Sequence, residues 1–206
     1  NTNTRNQKIK NYFLVNRKRI IISMIILIFI TIFYFIFIEV KERNKIKLAE
    51  NYKKITIEYL AGNKKDIKDK LINIINKNDT TYSPLALYFI IDNDISTKKD
   101  EINTLFDRVL DKTVLDKEIK NLIIYKKAMY NADTISENEL LKILNPILKS
   151  ESVWKSHALL LMADYFEHSN KLIKSKDFLE EIVNSELVEN EIRIEAERRL
   201  KRKFGD

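Results

Sequence analysis

The chain contains no cysteine, which excludes disulfides, thiolate metal sites and cysteine nucleophiles. Glycine occurs twice, at Gly62 and Gly205, and proline twice, at Pro84 and Pro146. A multi-strand β fold needs such residues every few positions to turn its chain, so that class is disfavoured. Gly-rich phosphate loops and the Gly-flanked serine elbow of hydrolases are missing for the same reason. Histidine also occurs twice. His157 and His168 fall roughly on one helix face, with Asp164 one turn before His168. Two ligands on an open helix make a poor metal site, and the expectation is a solvated polar face with no metal. The acidic pairs Asp92/Asp94, Glu180/Glu181 and Glu195/Glu197 mostly have a cation three or four residues away, such as Arg199 for Glu195, as on ordinary helix surfaces. Without a pocket to shift a carboxylate, the sequence offers no catalytic residue and no cofactor site, and a non-enzymatic role is expected.

What is present is one long apolar run. Residues 20–38, from Ile20 to Ile38, read IIISMIILIFITIFYFIFI without a charge. At about 1.5 Å per residue the run spans roughly 28 Å, close to the hydrocarbon thickness of a bilayer. Its ten Ile, four Phe and one Leu contribute roughly −5 to −9 kcal/mol to insertion. A soluble core helix is rarely apolar all the way round for five turns. A cleaved signal peptide has a shorter apolar stretch and small residues at its cleavage site, whereas this run ends in Ile38-Glu39-Val40-Lys41-Glu42. A retained single-pass anchor is therefore expected. The chain opens on Asn1, so a short preceding piece is expected too.

The net charge of +7 is unevenly placed. Residues 1–44 hold eight Lys or Arg and two Glu, which leaves 29 cations against 28 acids in residues 45–206. The basicity belongs to the membrane flanks, where it meets anionic headgroups. The rest has no excess for a nucleic-acid footprint, and no nucleic-acid partner is expected. The amino tail carries six cations and no acid, with Arg17, Lys18 and Arg19 directly at the membrane. Residues 39–53 carry five cations and three acids. By the positive-inside rule the amino terminus is cytoplasmic and the carboxyl part lies across the membrane. Tyr12 and Phe13 are expected at headgroup level.

After the tail (1–19), the anchor (20–38) and a charged stub (39–45) expected to continue the helix outward, residues 46–206 read as a helical-repeat domain with period 3.6. The expected pairs are 46–61 with 64–77, 83–92 with 97–111, 114–131 with 136–149, and 152–169 with 171–184. A capping helix follows at 189–203. Gly62-Asn63 stops the first helix. Ser83-Pro84 reads as an N-cap with proline at the first helical position, and Ser96 or Thr97 as the next cap. Ser136-Glu137-Asn138-Glu139 is a capping box. Pair starts near 46, 83, 117, 153 and 189 give a period in the mid-thirties, the mark of stacked helix hairpins. The fold class expected is thus all-α: one amino-terminal transmembrane helix, then a tetratricopeptide-like α-hairpin solenoid of about four pairs.

Ala158, Leu161, Tyr165 and Phe178 fall at the packing positions of a tetratricopeptide repeat, and Tyr52, Ile55, Tyr59 and Ile72 repeat part of the pattern. Lys174 and Lys68 stand where that family has a small residue at the helix crossing; Ser175 serves there if the register moves by one. The segment 140–200 contains Leu144-Asn145-Pro146-Ile147-Leu148, Trp154, Ala158 through Phe166, then Arg193, Ala196 and Leu200. With the basic tail and single anchor, this layout resembles the ancillary subunit of the bacterial Sec translocon and its relatives. The resemblance implies a single-pass protein of the bacterial inner membrane whose repeat domain faces the periplasm and handles other proteins. Partners of that kind are the translocon, a chaperone at its exit, or an envelope assembly factor. By repeat register the partner groove is expected at Lys53, Ile57, Asn121, Ile124, Leu159, Ala163 and Phe166. Trp154 is expected to pack at the start of a repeat helix. The alternative role is a structural subunit of a membrane complex recruited through the anchor itself, although the anchor has no small-xxx-small motif.

Overall fold

The computed structural model describes residues 2–96, 98–185 and 188–205, with the side chains of 2–6, 8, 9, 11–13 and 20 outside the description. Thr97 as a cap, the headgroup placement of Tyr12 and Phe13, and the side chain of Ile20 thus lie outside the described residues. Among those described, every regular element is an α-helix: α1 Thr2–Leu60, α2 Ile67–Ile75, α3 Tyr82–Asp92, α4 Lys99–Lys112, α5 Lys117–Asn131, α6 Glu137–Leu148, α7 Lys155–His168, α8 Leu172–Asn184 and α9 Asn190–Phe204. They fall into two compact units, Asn1–Lys54 and Ile55–Asp206.

The first unit is helix α1 up to Lys54. Every described side chain from 21 to 40 is exposed, including Phe33 at 69% and Phe37 at 68%. Each large apolar side chain left in water forgoes roughly 1.5–3 kcal/mol of burial. The helix is long enough and apolar enough to cross a membrane. Within it the Thr31 hydroxyl donates to the Leu27 carbonyl at 2.9 Å, which satisfies it without water. Arg43 Nε reaches Glu39 at 2.6 Å on the following charged turn. As the sequence leads one to expect, the stub at 39–45 continues the helix outward; the departure is that α1 also runs without a break into the segment read as a separate helix from 46. No glycine or proline occurs before Gly62, so nothing stops the helix.

The second unit begins at Ile55, the first residue with a fully buried side chain among those described. Helix ends in it follow local chemistry. Gly62, at φ +87°, ends α1: its N–H bonds the Tyr59 carbonyl and the Asn63 N–H bonds the Glu58 carbonyl, a Schellman closure. With glycine nearly absent, Asp94 (φ 49°) closes α3 and Asn170 (φ 53°) closes α7 by the same pair of bonds. Short Asn and Asp side chains tolerate this left-handed conformation better than other non-glycine residues.

Ser136 and Glu139 form the expected capping box: Glu139 accepts from the Ser136 N–H at 2.9 Å, and Ser136 Oγ accepts from the Glu139 N–H. Its Ser136 bonds hold the Glu139 carboxyl below its ordinary value. Ser83 departs from expectation. It is buried, and its hydroxyl donates to the carbonyls of Ile74 and Ile75 while accepting from the Asp79 N–H at 2.9 Å. The α3 terminus is held instead by Asp79 Oδ1, which accepts from Thr81 and Tyr82. A carboxylate three residues earlier satisfies free helix N–H groups better than a hydroxyl drawn into the α2 terminus.

From α2 onward each helix packs on the next, and α4, α7 and α9 also reach back to α2, α5 and α7. Alanines are buried in the first helix of successive pairs, Ala86 on α3, Ala128 on α5, Ala163 on α7 and Ala196 on α9. One core cluster joins Ile124, Ala128, Leu140, Leu144, Ile147, Ala158, Met162 and Phe166; a second joins Leu159, Ala163, Leu179, Ile182, Ile192, Ala196 and Leu200. At the α7–α8 contact the small residue is Ser175, which has no exposed surface, while Lys174 points out to Glu137 at 2.6 Å. Most polar contacts between pairs recur at a near-constant chain separation, the α4–α5 contacts Asn103–Asn131 and Lys127–Asp107 being closer in the chain. Tyr59 bonds Asn93, Lys68 bonds Glu101, Ser152 bonds Glu118, Tyr165 bonds Ile135, Lys171 bonds Glu137 and Lys203 bonds Glu167, all 30 to 36 residues apart.

Candidate functional site

Half-buried side chains of α3, α5, α7 and α9 form three neighbouring groups of contacts in the second unit. On α3, Tyr88 lies beneath Lys126 of α5, whose Nζ is 4.8 Å from the ring centre. The next residue on α5, Tyr125, stacks against Trp154 at 5.9 Å and 23°, and meets His157 edge-on at 5.8 Å. Trp154 and His157 are themselves 5.2 Å apart. Trp154 sits at the N-cap of α7, so its ring leaves the helix axis and reaches back over α5. Two turns beyond His157, Asp164 pairs with Arg199 of α9, and Arg199 also binds Glu195 at 2.6 Å. The Glu195–Arg199 surface pair read from spacing is therefore present.

Burial pushes the Tyr88 hydroxyl well above its ordinary value, and the neighbouring Asp92 charge adds to this. Tyr125 is pushed up by burial and then by Asp164. Both phenols thus stay neutral at physiological pH and act as hydrogen-bonding, stacking groups. The Tyr88 hydroxyl, Asn78 Oδ1 and His157 Nδ1 are buried without a hydrogen-bond partner among the described residues. Among the same residues no group of three or more His, Asp or Glu side chains is placed to hold a metal. His157 belongs to the aromatic cluster, whereas His168 is exposed at the end of α7. The clefts of this unit are shallow. One of about 380 Å³ is lined by Tyr59, Lys64, Lys68 and Asp94, and one of about 410 Å³ by Leu148, Ser152 and Lys155. Lys68 and Lys155 are already paired with Glu101 and Glu181.

The groove positions read from the sequence divide. Ile57 is exposed, at 54%, in this unit, and Lys53 is exposed in the first unit. Ile124, Leu159, Ala163 and Phe166 are core residues, and Asn121 is buried with its amide donating to Ser152 at 3.0 Å. These five are corrected: a first helix packs against neighbours on both sides, so its most regular apolar stripe faces inward. One residue further along, a rotation of about 100°, stand Tyr125 and Asp164, which reach the surface. The Ile123-Ile124 doublet is the sequence signal for this rotation, since both members are buried and leave Tyr125 at the edge. Trp154 packs on the core as expected. Arg17, Lys18 and Arg19 are exposed on α1.

No family model, curated protein or solved structure matches this chain.

Proposed function

We propose that this chain is a membrane-tethered scaffold without catalytic activity, whose second unit is a tetratricopeptide-like array of helix hairpins that binds proteins. The observation that carries this reading is the recurrence of inter-pair contacts at 30 to 36 residues. A constant separation arises when each hairpin meets the same part of the next, which is how solenoids stack and expose extended binding faces. The apolar helix supports the second half of the reading. In this proposal residues 20–38 cross the bacterial inner membrane once, the amino terminus is cytoplasmic and the array lies in the periplasm. Tethering raises the local concentration of the array near membrane partners. The partners proposed are the Sec translocon, a chaperone at its exit, or an envelope assembly factor. The binding face is the set of side chains from Tyr88 through Tyr125 and Trp154 to Asp164.

The test is in-cell photocrosslinking from positions 125, 161 and 164 of the full chain, with the native anchor and with an unrelated one. The proposal expects the same protein partners in both. Partners captured only with the native anchor would instead make the chain a structural subunit recruited through its membrane helix, and no partner from any position would overturn the proposal.

A further inference from the structure

Three ring clusters described in the second unit are each covered by a cation of the same chain. Lys64 Nζ lies 5.4 Å from the centre of Tyr59, which meets Phe89. Lys99 lies 5.6 Å from Tyr130, which meets Phe106. Lys174 lies 5.2 Å from Phe166, which stacks on Phe178. Two single rings, Tyr88 and Phe204, carry Lys126 and Lys176 in the same way. The exception is Tyr125–Trp154–His157. Among the described residues no lysine or arginine lies over any of its three rings, although indole is the strongest cation-binding ring of the set.

Two further features converge there. The Tyr125 hydroxyl and the Trp154 indole N–H make no hydrogen bond to the described residues, so both polar tips are available beside the ring faces. Asp164 lies on the same helix two turns beyond His157, its side chain is 45% exposed, and its charge acts on Tyr125. Its partner Arg199 is shared with Glu195, and a carboxylate has about four acceptor positions, so Asp164 has room for a second cation. Aromatic faces with a carboxylate at their edge are complementary to a guanidinium or ammonium group, and they disfavour an anion.

We propose that the Tyr125–Trp154–His157 cluster, with Asp164 at its edge, is the seat for an arginine or lysine side chain of a partner polypeptide. The proposal rests on the scaffold reading above and names the chemistry its partner presents. A basic side chain from outside takes here the place that lysines of the chain itself take over its other ring clusters. The rings supply the cation–π face, Asp164 the counter-charge, and the free indole and phenol groups hydrogen bonds to the adjacent peptide backbone.

Trp154 is the only tryptophan, so its emission reports this cluster alone. The experiment titrates the full chain in detergent micelles with four capped Gly-Ser heptapeptides whose central residue is Arg, Lys, Gln or Glu, at constant ionic strength. Saturable changes in emission are expected for the Arg and Lys peptides at midpoints about tenfold below that of the Gln peptide, a difference of about 1.4 kcal/mol. The Glu peptide should give no saturable change. In Asp164→Asn, a partly exposed position, the Arg preference should fall about threefold or more. In Tyr125→Leu it should vanish, with helicity by circular dichroism confirming the fold. Equal midpoints for Arg and Gln, a preference for Glu, or an Arg preference untouched in both variants each overturns the proposal. The two readings fail separately. Crosslinked partners without peptide charge preference would remove the cationic seat and leave the scaffold standing; charge preference without any partner in cells would do the reverse.

Discussion

Lys174 and Ser175 are neighbours on α8 with opposite surroundings, and exchanging their character tests the packing register of the second unit. Ser175 has no exposed surface, and its hydroxyl lies 3.4 Å from Glu167 of α7. Lys174 is exposed, its ammonium resting on Glu137 of α6 at 2.6 Å. Ser175→Leu forces a larger side chain between two packed helices, and overpacking of this kind costs about 1–3 kcal/mol. In a unit of about 150 residues each kcal/mol moves the melting temperature by about 2–4 °C, so a drop of roughly 2–12 °C is expected. Lys174→Leu removes one of two lysines from Glu137 and leaves Lys171 in place. Its melting temperature should stay within about 2 °C of the parent, because exposed ion pairs contribute little. Ser175→Ala keeps the site small and should also be nearly neutral. Trp154 emission on heating the full chain in micelles reads this unit and not the apolar helix. If Lys174→Leu destabilised the protein as much as Ser175→Leu, the register would be wrong by one residue, and with it the inward direction of the stripe through Leu179 and Ile182.

Phe166→Ala removes a buried ring that stacks on Phe178 at 5.5 Å, and should cost about 3–5 kcal/mol in urea unfolding. Ser83→Ala leaves the Asp79 N–H without its acceptor, while Ile74 and Ile75 still accept from Lys77 and Asn78. One orphaned donor sets the loss at about 1–3 kcal/mol, checked by the same unfolding assay. The Ser96 hydroxyl, followed by the Lys68 ammonium, holds the Glu101 carboxyl below its ordinary 4.5. A carboxyl depressed in the folded state stabilises above its unfolded value. Stability should therefore fall as pH drops below about 4.5 and through the depressed value, and Ser96→Ala with Lys68→Met should flatten that acid limb. Replacing Arg17, Lys18 and Arg19 by alanine leaves three cations before the apolar helix against five after it. Protease accessibility in spheroplasts should then show the carboxyl part protected in a larger fraction of molecules than in the parent.

Helix positions in the second unit were legible because they depend on local chemistry. The 3.6 period, the Gly62 stop and the Ser136–Glu139 box placed helix ends within a few residues of those observed, and the poverty in glycine and proline agreed with the lack of strands among the described residues. The long apolar helix was legible for a similar reason, since composition over 19 residues sets its affinity for lipid. Its continuation through the stub at 39–45 was expected, but its unbroken run on through residues 46–54 was less legible. Several weakly helical polar residues do not reveal whether a helix ends until a stop signal is reached, and the first one is Gly62.

Which side chains reach the surface depended on tertiary packing. Ile124, Ala163 and Phe166 look like surface candidates when a helix is taken with one packed side, but α5 and α7 each have neighbours on both sides, which turns those residues inward and leaves Tyr125 and Asp164 at the surface. Likewise, Tyr125 and Trp154 are 29 positions apart, so only stacking one hairpin on the next could bring their rings together. The sequence by itself determined which segments are helical and which segment is long and apolar enough to cross a membrane, because hydrogen bonding within a helix and transfer of side chains from water are local sums. The tertiary structure alone decided which side of each helix faces outward and which distant rings meet, because those follow from the positions of neighbours tens of residues away.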